Sequence, residues 1–475
     1  MNTITIAWIS LPLIAGFVLY LFPKLDRYLA LFVAIVSAGY AVRLFVEPSA
    51  LNLELLDNFG VTLIADQFSS YFILTNALVT SAVILYCWNR QKKAFFYTQT
   101  IILHGSVNSV FICGDFISVY VALEVIGVAA FLLISYPRGD RSIWVALRYL
   151  FVSNTAMLFY LVGAVLVYKA NNSFAFAGLE NAPPEAFALI VLGLLSKGGV
   201  FISGLWLPLT HSESETPVSA MLSGVVVKTG VFPLLRCALI LDEIDPVLKI
   251  FGIATAFLGV TYAILEKDTK RTLAYSSISQ LGFILVSPIA GGFYALTHGL
   301  AKSALFLLAG ALPSRNFQEL RKKPTKASIW LAMLIPCLSI SGFPLFAGFA
   351  AKTTTLKGLE NWSMIAMSIA AVGTAIVFAK FIFLPYEQQE QGQSNLWMPM
   401  LPLLGGLIVG NGLYSEVYTL ENLSKAVLTA ILGWLAYLFI VRRFTLTLPR
   451  LLEKFENLIG MMSLMLIALF WMVLA

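Results

Sequence analysis

Glu124, Lys197, Lys228, Lys302 and Lys352 all lie in apolar stretches long enough to cross a membrane. A charge at the centre of a lipid-embedded helix costs about 2.5–3.5 kcal/mol even on the gentlest insertion scale. Several such charges at intervals, with one carboxylate among them, describe a route for protons or cations. Glu124 is mid-span in FISVYVALEVIGVAAFLLI. A carboxyl group at that depth either exchanges protons or serves as a structural partner for a lysine. Lys197 directly precedes the glycines of LGLLSKGGVFISGLWLP, where an amine taken out of water alternates between charged and neutral forms. Lys228 is mid-span in MLSGVVVKTGVFPLL. Its VVVKTG is not a phosphate loop, because Val227 stands where the glycine before the lysine is needed. His298 and Lys302 are four residues apart in ALTHGLAKSALFLL and share a helix face, as a relay pair would. Taken alone, His298 reads as a hydrogen-bonded core histidine. On hydropathy Lys352, at the end of GFPLFAGFAAK, reads as a side chain snorkelling to the surface.

The composition excludes a soluble enzyme. Of 475 residues, 59% are hydrophobic and 12% charged, and the mean hydropathy is +0.85. Soluble domains carry about 25% charged residues. The fold class is an all-α integral membrane protein, with apolar runs near the length of a spanning helix. A net charge of +6 over this length reflects loop asymmetry, so no nucleic-acid partner is expected. Cys87, Cys113, Cys237 and Cys337 stand singly with no C-x-x-C, and there are three histidines, His104, His211 and His298. No disulfide, metal or cofactor is expected. The first charge is Lys24, so residues 3–22 read as a span and not as a cleaved signal peptide.

Sixteen spans are expected, at 3–22, 28–46, 63–87, 95–113, 115–135, 142–168, 185–209, 217–241, 248–265, 273–290, 293–312, 328–351, 362–385, 397–415, 422–441 and 458–475. Basic loops follow odd spans (Lys24/Arg27, Arg90/Lys92/Lys93, Arg138/Arg141, Lys267/Lys270/Arg271, Arg321–Lys326, Arg442–Lys454). Acidic loops follow even ones (Glu47/Glu54/Asp57, Glu180/Glu185, Asp242/Glu243/Asp245, Glu416/Glu421). By the positive-inside rule the odd loops are cytoplasmic and both termini face outward. Two segments are interrupted by glycine and proline, 193–208 and 336–348. Broken helices at membrane depth line packed or wet interiors, and one in each half suggests inverted repeats meeting at a site; close-packing kinks are the competing reading. Lys380 and Arg236, near span ends, read as snorkelling or paired, and Arg148 fits either role.

In order, SKGGVFISGLWLP, HSESETPVSAMLSGVVVKTGVFPLLR, KDTKRTLAYSSISQLGF, HGLAKSALF and GFPLFAGFAAK resemble the antiporter-like membrane subunits. That family is shared by respiratory complex I, its photosynthetic relatives and the Mrp-type multisubunit sodium/proton antiporters. The resemblance spans roughly residues 60–385. It implies about 14 core transmembrane helices with two inverted five-helix repeats and broken helices, plus one or two extra C-terminal spans. The repeats fall at 95–241 and 248–385, flanked by N-terminal helices at 1–94 and C-terminal helices at 386–475. The family's functional charges match Glu124, Lys197, Lys228, His298, Lys302 and Lys352, which overturns the snorkelling reading of Lys352. Gly204 stands where many members have a histidine before Trp-Leu-Pro, whereas His211 remains. The long lateral helix of the largest members is missing. Thr445–Leu458, with Leu448, Leu451, Leu452, Phe455 and Leu458 along one side, is expected to lie as a short helix in the interface.

Within the family the chain is most similar to the D-type Mrp subunit. The resemblance implies a proton-conducting subunit of a sodium/proton antiporter, with other membrane subunits, protons, sodium and the bilayer as partners, in a bacterial inner membrane. The alternatives are a proton-pumping subunit of a complex I-like NAD(P)H/ferredoxin-quinone oxidoreductase, in a thylakoid for the photosynthetic type, the membrane half of an inorganic-carbon uptake system, and a scaffold with a vestigial channel. Under each the chain performs no redox chemistry by itself.

Overall fold

In the computed structural model the described residues are 2–47, 50–56, 60–241, 244–388, 396–443, 446 and 448–474. Asp57, Asp242, Glu243 and Thr445 of the readings above lie outside them. Helices α1 (Asn2–Leu21), α2 (Asp26–Val46), α3 (Gln67–Cys87) and α4 (Ala94–Val110) come first. Then follow α5 (Phe116–Ile134), α6 (Asp140–Asn171), α7 (Pro184–Gly198), α8 (Leu207–Glu213), α9 (Thr216–Met221) and α10 (Lys228–Ala238). The second half holds α11 (Ile244–Leu265), α12 (Thr269–Leu285), α13 (Pro288–Ala309), the one-turn α14 (Phe317–Leu320), α15 (Ala327–Ser341), α16 (Ala347–Lys357) and α17 (Asn361–Ile382). Last are α18 (Trp397–Val409), α19 (Leu420–Phe439) and α20 (Phe455–Leu474). Eleven of the described segments are long and apolar enough to cross a membrane. Acidic N-caps start several helices: Asp66 on α3, Asp115 on α5 and Asp268 on α12 accept from the backbone N–H of Ser69, Ser118 and Arg271.

Burial sorts the helices into centre and rim. The apolar window of the span 216–238 is entirely buried in protein, whereas 17% of the span window in 420–443 is. All of α12 and nearly all of α13 are buried too, so α9–α10, α12 and α13 form the interior. α11 packs along α12, α6 along α7, and α17 along α19; α20 returns to pack on α7.

Contacts between loops follow the charge alternation. Arg27 donates to the Trp88 carbonyl, Lys92 pairs with Glu215, Arg141 with Glu213, Arg315 with Asp268, and Arg321 donates to the Arg442 carbonyl. Each of these joins loops that follow odd spans. Glu213 and Glu215 are acidic on this basic face, neutralised by Arg141 and Lys92. The other face carries a hairpin of β1 (Leu51–Glu54) and β2 (Thr62–Ala65), an element the all-α reading did not include. A two-residue parallel pair, β3 (Thr325–Lys326) with β4 (Tyr386–Glu387), ties the ends of α15 and α17 on the basic face. With this topology, a Lys322→Cys chain should react with an impermeant maleimide from the cytoplasmic side alone, and Glu54→Cys from the outside alone. Labelling of both from one side would overturn the span count.

The first four helices share a buried polar network. His104 Nε2 contacts Ser37 Oγ at 2.9 Å and Nδ1 contacts Thr80 Oγ1 at 3.0 Å. Asn108 donates to His104 Nε2 at 3.1 Å, and Asn76 donates to Asn108 Oδ1 at 2.8 Å and to the His104 carbonyl at 2.9 Å. Trp8 Nε1 donates to Ser37 Oγ at 3.1 Å.

Thr445–Leu458 does not form the expected interfacial helix. Its described part is a 3₁₀ turn, Leu451–Glu453, followed by α20 from Phe455, and Leu458 and Glu453 are both buried. Of its apolar side Leu458 packs into the protein, Leu448 and Leu452 are half-buried, and Leu451 and Phe455 stay exposed.

Candidate functional site

Both interrupted segments are broken helices with the same wiring. α7 ends at Gly199, φ +73°, where Val200 N donates to the Leu195 carbonyl at 2.9 Å. α15 ends at Gly342, φ +80°, where Phe343 N donates to the Leu338 carbonyl at 3.0 Å. A left-handed glycine with this bond is the Schellman stop. After each stop the chain folds back so closely that only glycine fits: a methyl on Gly204 would overlap the Gly199 carbonyl, and one on Gly348 the Ser339 carbonyl. That contact is the physical reason for the glycine at 204.

Lys197 sits in the last turn of α7, 3% exposed. Its Nζ donates to Ser153 Oγ of α6 at 2.5 Å and to the Leu123 carbonyl of α5 at 3.2 Å. The Tyr149 ring lies 5.9 Å away, and Trp206 Nε1 caps the neighbouring Ser196 carbonyl at 3.0 Å. Glu124 follows Leu123 but is half-buried on the outward side of α5, with exposed Val121 and Val125 flanking it. Its charge reaches Lys197 through space, yet no ion pair joins them among the described residues. Lys197 is held by a hydroxyl and a carbonyl, not by the carboxylate.

Lys228 is fully buried at the start of α10, after a π-helical turn at Leu222–Val226. A π turn displaces the usual backbone bonds and is common at functional sites. Nζ donates to two carbonyls there, Gly224 at 2.6 Å and Ser223 at 3.2 Å. Lys302, also fully buried, donates to the Leu273 carbonyl at 2.9 Å and to Ser276 Oγ, both on α12, and lies 5.1 Å from the Phe378 ring. His298, one turn earlier on α13, is within electrostatic range of Lys228 and Lys302, and both ring nitrogens lack a protein partner. Lys352 lies inside α16, 5% exposed, and donates to the Ile340 carbonyl at 3.0 Å across the second break. It is not a snorkelling residue.

None of these four lysines has a carboxylate within ion-pairing distance among the described residues. An ammonium in protein without a counter-charge is penalised by several kcal/mol. Amines held by neutral acceptors in such a setting suit a cargo that arrives as a positive charge and leaves again.

Sequence reading missed the acceptors: Ser153, Ser276 and the carbonyls of the π turn. Hydroxyls within apolar helices were the available signal. His211 is also fully buried between Trp206 and Phe306, with the Leu207 backbone beside its ring. Lys380 is buried and caps α11, donating to the carbonyls of Ala263, Ile264 and Glu266. Arg236 is paired with Asp66 in two bonds of 2.5 and 2.9 Å. No group of three or more His, Cys, Asp or Glu side chains among the described residues is arranged to hold a metal.

The sequence profile of the NADH:quinone oxidoreductase/Mrp antiporter transmembrane family matches residues 113–378, the stretch that contains Lys197, Lys228, Lys302 and Lys352. The D-type subunit of the Na(+)/H(+) antiporter of Alkalihalophilus pseudofirmus is 26% identical over 462 residues, covering 86% of this chain and 94% of that protein. NAD(P)H-quinone oxidoreductase chain 4 1 of Synechococcus elongatus is 27% identical, covering 78% of each. Among solved structures, a chain of the archaeal membrane-bound sulfane sulfur reductase superposes with a TM-score of 0.79 at 20% identity, over 92% of this chain and all of that one. A chain of the Mrp complex from Dietzia superposes with a TM-score of 0.74 at 22% identity, over 99% of this chain and 55% of that one. These likenesses extend the shared fold beyond the profile, to the N-terminal helices and the C-terminal pair. The relatives are subunits of multisubunit membrane assemblies, and this chain is an integral membrane protein that belongs to the NADH:quinone oxidoreductase/Mrp antiporter transmembrane family.

Proposed function

We propose that this chain is the proton-conducting membrane subunit of a multisubunit cation/proton antiporter. Protons move along Glu124, Lys197, Lys228, His298, Lys302 and Lys352, and sodium is the exchanged cation. The observation that carries this reading is the lysine set itself: four buried amines held by carbonyls and hydroxyls instead of carboxylates. The matching stops at Gly199 and Gly342 support two five-helix repeats, at 95–241 and 248–385, with a break on either side of the central lysines. The antiporter protein of A. pseudofirmus aligns over 94% of its length, against 78% for the oxidoreductase chain of S. elongatus, which favours the antiporter. The partners on this reading are the other membrane subunits of the complex, in a bacterial inner membrane.

The test is expression of the whole operon in antiporter-deficient cells, followed by everted vesicles loaded with a pH-sensitive dye. Added sodium should collapse the respiration-driven pH gradient. A complex that ignores sodium but acidifies vesicles when a quinone and its electron donor are supplied would replace this reading with the redox-driven pump.

A further inference from the structure

The segment Leu448–Lys454 leads from α19, which packs on α17, to α20, which packs on α7 and on the 3₁₀ segment Ile202–Trp206. On the way it buries a carboxylate. Glu453 is 7% exposed and sits between α6 and α12. Its Oε1 accepts from Arg271 Nη2 at 2.5 Å and from the Tyr275 hydroxyl, and its carbonyl accepts from Arg148 Nη2. Arg271 pairs in turn with Glu266 at 3.1 Å, and Arg450 reaches Glu266 at 3.4 Å. A cavity of about 100 Å³ opens beside the cluster, lined by Tyr262, Glu266, Tyr275, Leu448 and Arg450. The charged and titratable groups around Glu453 are Arg148 on α6, Arg271 and Tyr275 on α12 and Tyr262 on α11, with Glu266 and Arg450 beyond Arg271 and Glu456, at the start of α20, near Arg148.

The two helices joined by this residue are those that hold two of the lysines. α6 supplies Ser153 and Tyr149 to Lys197; α12 supplies Leu273 and Ser276 to Lys302. Arg148 is the neighbour of Tyr149, and Tyr275 the neighbour of Ser276. Apolar side chains of similar volume would fasten a strap at least as well, because a buried ion pair gives back much of its attraction as desolvation. What the charged cluster adds is a fixed register between α6 and α12, set by directional bonds.

We propose that Glu453 is a positioning residue of the transport cycle: its carboxylate, bonded to Arg271 and Tyr275 of α12, and its backbone carbonyl, bonded to Arg148 of α6, clamp the two helices together and so couple the setting of Lys197 to that of Lys302. This rests on the reading of the lysines as a proton path. The strap acts on the lysines through the helices that hold them and not as a proton carrier.

The test uses the whole complex with Glu453→Gln, which keeps the shape and removes the charge, and Glu453→Asp, which keeps the charge and shortens the reach. Turnover per assembled complex is measured across pH, and amide hydrogen exchange is measured over residues 145–155 and 270–278. The Gln variant should lose about tenfold or more in turnover, as expected when reacting groups are misplaced by a fraction of an ångström to an ångström. Its pH profile should be displaced, and exchange should rise in both segments together. The Asp variant should assemble, recover part of the turnover and show a smaller displacement; if Gln does not assemble, the displaced profile of Asp carries the test. Unchanged turnover and pH profile in the assembled variants, or a lower yield of complex as the sole effect, would overturn the clamp. If the unaltered complex moves no cation, the transport reading fails, and the exchange data still decide: no joint rise in the two segments rejects the clamp.

Discussion

Replacing Lys228 by arginine should stop proton movement almost as completely as replacing it by alanine, with the complex still assembled. The Lys228 amine is bound by the carbonyls of Ser223 and Gly224, which the π turn leaves available, and no carboxylate among the described residues pairs with it. If the fold needed only a positive charge there, arginine would supply it. If the site must release a proton in each cycle, arginine fails because its guanidinium does not deprotonate in proteins. Loss of a group that gives and takes protons costs about a hundredfold or more in rate. Both variants are to be compared by sodium-driven dye response in everted vesicles, normalised to complex on a native gel. An assembled Lys228→Arg complex with full activity removes Lys228 from the path.

Lys197→Ala and Glu124→Ala should have losses of the same order, again about a hundredfold, and for different reasons. Lys197 is the amine at the first broken helix, held by Ser153 and the Leu123 carbonyl. Glu124 touches no cation among the described residues and stands half-exposed on the side of α5. It lies within electrostatic range of Lys197 without an ion pair, and on the proposed path the pair would close when the lysine leaves Ser153. Removing the carboxylate should therefore leave the bonds of Lys197 intact and remove the charge that, on the proposed path, draws the amine across. Normal transport in an assembled Glu124→Ala complex excludes it from the cycle.

The positions of the helices and of the buried charges were legible because both are local signals: long apolar runs and ionisable residues inside them. The two breaks were legible for the same reason, since glycine and proline mark them. What could not be read locally was the answer to each charge. Lys302 takes its acceptors from α12, 26 and 29 residues away, and Lys380 caps a helix that ends more than a hundred residues earlier. Glu453 meets Arg271 across 182 residues, so the periodic leucines around it suggested an interfacial helix while its buried carboxylate gave no local sign. The π turn at Leu222–Val226 carries no proline. Glu213 and Glu215 obeyed no charge rule by themselves, because Arg141 and Lys92, which neutralise them, come from other loops.

The His104 network has a consequence for how tightly the complex holds a membrane voltage. Each 100 mV across the bilayer drives an elementary charge with about 2.3 kcal/mol, so any second polar thread through the protein is a potential short circuit. The interior of α1–α4 is polar, but both nitrogens of His104 are engaged, by Ser37 and Asn108 on one side and by Thr80 on the other, and the amides of Asn76 and Asn108 lock those partners in turn. Amides do not take up protons at physiological pH, and an imidazole with both nitrogens bonded has no free lone pair to receive one without breaking a bond first. The first four helices are thus built as insulation: polar enough to fix their packing in one arrangement, and closed to the current that we propose the lysines carry.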